Sequence, residues 1–131
     1  MKIDNKLLDS ITREAKLSDR LRMSRDLRTT PEVLSQRMLN AIEPGTVLPI
    51  HRHRNSTESC IVIRGKAVEI FYDDNGNETE RIMMQPDSDC SGVNIEVGRW
   101  HRIESLESGT VIFEAKDGAY TPLSSEDVLN V

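Results

Sequence analysis

Gly45-Thr46-Val47-Leu48-Pro49-Ile50-His51-Arg52-His53-Arg54-Asn55-Ser56-Thr57-Glu58-Ser59-Cys60-Ile61-Val62-Ile63-Arg64-Gly65 is the stretch from which the fold is read. Extended backbone sends alternate side chains to one face, so His51 and His53 project together while Arg52 and Arg54 point away. The polar connection Arg54-Asn55-Ser56-Thr57 is long enough to fold the Glu58 carboxylate back toward them. Downstream, Gly98-Arg99-Trp100-His101 carries the remaining histidine, so all three histidines of the chain fall in these two segments. Three neutral imidazoles and one carboxylate form a mixed nitrogen and oxygen donor set that suits Fe, Mn, Ni, Zn or Cu as a divalent ion. Because His101 lies about fifty residues beyond His51, only a closed scaffold can bring the donors together, and a β-barrel is one.

Outside this stretch the pattern changes from helical to extended. Leu7, Leu8, Ile11 and Ala15 recur at helical spacing and predict a short amphipathic helix over residues 5–16. Residues 17–30 are polar and arginine-rich without a clean period, which reads as an extended arm or loop. Thr30-Pro31-Glu32 resembles a helix start. Short strands follow at Arg37–Ile42, Val47–His53, Cys60–Arg64, Ala67–Tyr72, Glu80–Met84, Val93–Val97, His101–Ile103 and Thr110–Lys116. Gly65 and Asp73-Asp74-Asn75-Gly76-Asn77 mark turns, the second because Asn-Gly tolerates the positive φ of a tight hairpin. Regular short strands with such turns predict an all-β antiparallel sandwich or barrel. The expectation is one domain over 1–131: helix and arm 1–34, barrel 35–120 and C-terminal tail 121–131.

Composition narrows the function. The 131 residues are enough for one self-contained core. The formal net charge of -5 hides an asymmetry: residues 1–40 carry nine Lys/Arg against six Asp/Glu, and residues 41–131 carry eight against sixteen. An acidic body argues against nucleic acid as partner, since phosphate-driven binding needs a basic surface. No apolar run approaches the ~20 residues of a membrane span, and Met1-Lys2-Ile3-Asp4-Asn5-Lys6 lacks the apolar core of a secretory signal. The expected compartment is the cytoplasm. Cys60 and Cys90 show no CxxC spacing; Cys60, inside an apolar run, reads as a small buried hydrophobe rather than half of a disulfide.

The spacing Gly45, five residues, His51-x-His53, four residues, Glu58, six residues, Gly65 resembles the first motif of the cupin superfamily position for position. Gly98-x-x-His101 resembles the second motif in part, with Glu96 where a proline is usual and Ser105 at the terminal asparagine position. The resemblance implies a jelly-roll barrel (a double-stranded β-helix) with the metal inside its mouth. A narrower resemblance, to the WbuC family of cupin metalloproteins, rests on Arg37-Met38-Leu39-Asn40-Ala41, Pro44-Gly45-Thr46, the His-Arg-His triplet, and Phe113-Glu114-Ala115-Lys116-Asp117-Gly118-Ala119-Tyr120. The Arg20–Arg28 segment is similar to that family's N-terminal arm. Membership would imply a role among genes of O-antigen or other surface-polysaccharide synthesis, and cupins commonly pair as homodimers.

Beyond the metal set, Glu114 and Lys116 share one face of the last strong strand, opposite Val111, Phe113 and Ala115. They either line the cavity as an acid/base pair or form an exposed cross-strand ion pair. Tyr120 could close the pocket with its phenol or merely cover a core edge. Trp100 points away from His101 in extended backbone. Arg20, Arg22 and Arg28 could hold the phosphates of a nucleotide-linked sugar, since guanidinium forks fit phosphate bidentately, or form a solvated arm. The leading expectation is a metal-dependent isomerase or epimerase of a carbohydrate-derived small molecule, using one divalent Fe, Mn, Ni or Zn ion. The alternatives are a non-haem iron dioxygenase and a non-catalytic sugar-binding cupin, and a metal that only braces the barrel is a further reading.

Overall fold

The structure is a computed structural model that describes residues 1–130. One helix precedes ten strands: α1 (Asn5–Leu17), β1 (Arg22–Asp26), β2 (Ser35–Ile42), β3 (Ile50–His51), β4 (Glu58–Arg64), β5 (Ala67–Tyr72), β6 (Glu78–Met84), β7 (Gly92–Ile95), β8 (Trp100–Ser105), β9 (Val111–Asp117) and β10 (Val128–Leu129). All pairings are antiparallel. They build two five-stranded sheets, ordered β1-β2-β9-β4-β7 and β10-β3-β8-β5-β6. From β2 onward, apart from the β5–β6 hairpin, successive strands cross between the sheets, which is the jelly-roll arrangement.

Two apolar clusters hold these layers. Ile42, Cys60, Val62, Ala67, Met84, Ile103 and Ile112 meet between the sheets. Leu8, Ile11 and Ala15 of α1 pack on Leu39, Ala41 and Val111 of the first sheet's outer face. Adjacent residues of β9 therefore serve opposite layers: Val111 and Phe113 turn toward the helix, and Ile112 toward the barrel interior. Asp4 caps α1 by accepting from the Leu7 N–H at 3.1 Å. Arg64 of β4 ties the helix down by donating to Asp9 Oδ1 at 2.6 Å and Thr12 Oγ1 at 3.0 Å.

Gly65, the last glycine of the motif, has φ +90, and a Cβ there would stand 2.6 Å from the Thr110 backbone Cα. Only glycine fits that turn. The Asp73–Asn77 hairpin forms as its sequence predicts, with Asp73 Oδ1 accepting from the Asn75 and Asn77 N–H groups, each at 2.9 Å.

Three segments differ from expectation. Residues 22–26, expected as arm or loop, form β1 against the open edge of β2. Met23 and Leu27 join the cluster under α1, but Arg25 falls between them on the same face, which breaks the alternation. Thr30-Pro31-Glu32 starts no helix; it turns, with the Val33 N–H donating to Thr30 O at 3.3 Å, because β2 begins at Ser35. The strand expected over Val47–His53 shrinks to Ile50–His51, since Pro49 has no N–H for a ladder. No helix among the described residues is long and apolar enough to cross a membrane.

Candidate metal centre

Register places the donors. His51 of β3 stands opposite His101 of β8 in the second sheet. In the first sheet Glu58 of β4 stands opposite Lys116 of β9, and Cys60 opposite Glu114. These inward faces meet across the barrel mouth, with His53 just past the end of β3. The three imidazoles offer nitrogens that all lie within 4.8 Å of one another. Ring centroids are 4.3 Å apart for His51–His101, 5.0 Å for His51–His53 and 5.6 Å for His53–His101. Glu58 sits against two of them, Oε1 at 3.4 Å from His53 Nε2 and Oε2 at 3.5 Å from His101 Nε2.

The hydrogen bonding sets the tautomers a metal needs. His51 Nδ1–H donates to Pro49 O at 3.0 Å and His101 Nδ1–H to Arg99 O at 2.8 Å, leaving each Nε2 with a lone pair toward the centre. The Nε2 atoms of His53 and His101 are buried without a hydrogen-bond partner. Buried polar atoms are nearly always satisfied, so two orphaned imidazole nitrogens converging beside a carboxylate fit a bound cation. His51, His53 and His101 are placed to bind a metal, and Glu58 lies beside two of them.

Protonation follows from the same contacts. Burial lowers His51 to about 4, helped by the neighbouring His101, so it is neutral and free to ligate. Burial acts to lower His101 as well, but Glu58 outweighs it and the net shift is upward. Burial would raise Glu58, yet His101, His53 and the Lys116 ammonium hold it well below the usual carboxylate range. Lys116 Nζ lies 3.4 Å from Glu58 Oε1.

All these groups open into one cavity of about 1260 Å³. Glu114 and Lys116 line it rather than forming an exposed pair. Glu114 is part-buried in the cavity wall, and burial pushes its carboxyl up to about 7 with Glu58 adding to the rise. Tyr120 stands at the rim, 59% exposed, and Arg20, Arg22 and Arg28 line the same space. Trp100 turns away from the donors, as extended backbone requires: its Nε1–H donates to Asp74 at 2.9 Å and Arg52 stacks on its ring.

The cavity wall holds one further carboxyl group, at a position to which the sequence pattern assigns no role. Glu69 of β5 is 2% exposed, lines the cavity, and burial pushes it up to about 8. Its signal was present: it is the lone charged residue in Ala67–Tyr72, and glutamate is almost never fully buried without a partner.

Residues 3–84 match the family model described as "Domain of unknown function (DUF6016)". No curated protein matches the chain. Among solved structures, the capsular polysaccharide assembling protein CapF from Staphylococcus aureus is 27% identical, with a TM-score of 0.67 over 80% of this chain and 28% of that one. This chain therefore spans under a third of CapF. KdgF from Halomonas sp. is similar at 14% identity and TM-score 0.61, over 76% of this chain and 82% of that one. A cupin 2 domain-containing protein from Halorhodospira halophila gives 19% and 0.61, over 81% and 72%. The fold is that of the cupins.

Proposed function

The chain belongs to the DUF6016 family, and we propose that it is a metal-dependent enzyme that moves a proton on a sugar or nucleotide-sugar intermediate of surface-polysaccharide synthesis, as an isomerase or epimerase. One observation carries the reading: orphaned imidazole nitrogens share a cavity with a carboxyl group, Glu114, whose proton affinity lies near neutrality. The likeness to CapF supports the setting, as does the resemblance to the WbuC family. The same reading makes the protein a cytoplasmic homodimer.

His51, His53, Glu58 and His101 would hold the ion. When bound, a divalent metal supplies positive charge that polarises a substrate carbonyl or hydroxyl oxygen and acidifies the adjacent carbon. Glu114 takes up the proton from that carbon, since a base near pH 7 is both deprotonated often enough and basic enough for transfer. Lys116, beside Glu58 in the cavity wall, returns a proton to the substrate through Nζ, and proton exchange with solvent then restores Glu114 and Lys116 to their starting charges. Tyr120 offers its phenol to the substrate from the rim.

Two measurements test this. Metal content of untagged protein by elemental mass spectrometry is expected near one ion per chain and near zero in His51→Ala/His101→Ala. Metal-loaded protein in deuterium oxide is then expected to exchange the proton beside the carbonyl of a nucleotide-linked keto sugar. Glu114→Gln is expected to slow exchange by about 10²-fold or more with metal content unchanged. Full metal occupancy without exchange on any keto sugar rejects the enzyme and leaves a sugar-binding cupin.

A further inference from the structure

Five arginines line the cavity: Arg20, Arg22, Arg28, Arg52 and Arg54. Three are already neutralised. Arg28 grips Asp26 through Nε at 3.1 Å and Nη2 at 2.7 Å. Arg52 and Arg54 hold Asp127 at 3.2 and 2.8 Å, and Arg54 also reaches Glu126 at 3.0 Å. Arg20 and Arg22 have no carboxylate partner among the described residues. Arg20 and Arg22 lie two residues apart and line the same cavity, and burial lowers Arg22, with the Arg20 charge lowering it further.

The backbone that presents them is fixed. Arg22, Ser24 and Asp26 pair with Ile42, Asn40 and Met38 of β2, and all six line the cavity, so register alone puts Arg22 on the inward face. Leu21, between the two arginines, has φ 56, a left-handed conformation uncommon for a bulky side chain. It is clamped there: its N–H donates to Ser18 O at 3.0 Å, and its carbonyl accepts from the Glu43 N–H and Thr46 Oγ1, each at 2.9 Å. Backbone held in a sparsely populated region persists only when its surroundings over-determine it, and such positions cluster at ligand clamps.

We propose that Arg20 and Arg22 form an oxyanion clasp at the cavity mouth that takes a phosphoryl group of the substrate, and that Arg28 is not part of it. The inference rests on the cavity being a substrate site and is independent of the metal. Two unneutralised cations side by side call for about two negative charges, which a phosphoryl or diphosphate group carries and a single carboxylate does not. Paired guanidinium forks also match phosphate oxygens geometrically. The substrate then spans the cavity with its phosphoryl end at β1 and its reacting end at the histidines.

The test is calorimetric titration of the full chain with inorganic pyrophosphate at low salt, with sodium acetate and glucuronate as carboxylate arms. Saturable pyrophosphate binding is expected, weakened about tenfold or more in Arg20→Gln/Arg22→Gln, within about twofold of wild type in Arg28→Gln, and retained in metal-deficient His51→Ala. Binding that survives loss of both arginines, or vanishes only in His51→Ala, places the anion on the metal and overturns the clasp while leaving the metal reading intact. Equal binding of glucuronate overturns the phosphoryl assignment, and absence of saturable pyrophosphate binding overturns the clasp outright. Metal content of the same samples reports separately on the metal centre.

Discussion

Glu69 shows what a single residue contributes at this site. Buried beside Glu58, Glu114 and His101, it keeps its proton in the folded chain up to about pH 8, whereas the unfolded chain releases it near the ordinary carboxyl value of 4.5. A group raised in the folded state stabilises fully below its unfolded value and loses that contribution as pH climbs through the folded one. Chelated protein should thus lose stability between pH 5 and 8 from this residue, by a few kcal/mol at ~1.4 kcal/mol per unit. His51 acts in the opposite sense, but only between about 4 and the ordinary imidazole value of 6.5. In the window from pH 6.5 to 8, Glu69→Gln is expected to flatten the fall of the urea midpoint seen in wild type. Parallel slopes for the two proteins would falsify the assignment.

At the scale of elements, the structure separates a stabilising layer from a working one. Alternation along β9 sends Val111 and Phe113 to α1 and Glu114 and Lys116 to the cavity. Helix α1 buries Ile11 completely, 0% exposed, on the outer face of the first sheet, in a cluster that contains none of the histidines. Ile11→Ala is expected to cost about 2–5 kcal/mol in denaturant unfolding yet leave metal stoichiometry unchanged. A simultaneous loss of metal would mean that the two layers are coupled. On the opposite side β10 pairs with β3, Val128 opposite His51, and Asp127 engages Arg52 and Arg54. The tail thereby pins the strand that carries a candidate metal ligand.

For the whole molecule, the candidate ligands come from both sheets: His51, His53 and His101 from or beside β3 and β8, Glu58 from β4. An ion bound by all four would cross-link the sheets at the barrel mouth. Removing it with a chelator is expected to lower the melting temperature, because ligand held only by the native state stabilises it by ~2.7 kcal/mol at a hundredfold excess over Kd. The effect should be absent in His101→Ala. A melting temperature indifferent to chelation in wild type would count against an ion bridging the sheets.

The sequence by itself determined the local facts: helix α1 from the spacing of Leu8, Ile11 and Ala15, the strands from short apolar runs between turns, and the triad of histidines from residue type and offset. These were legible because helical and strand periods and glycine turns act over a few residues. Glu69 was passed over because a glutamate in a strand is ordinarily solvated, and only the facing sheet encloses it. β1 carries no clean strand period because Arg25 interrupts the apolar face between Met23 and Leu27. Whether Glu114 and Lys116 faced solvent or cavity, and which arginines kept a free charge, was decided only by tertiary structure. Burial and neutralisation depend on what packs opposite: α1 on one side of β9, and partners such as Asp26 and Asp127 for the arginines, placed by register and by chain far away in sequence.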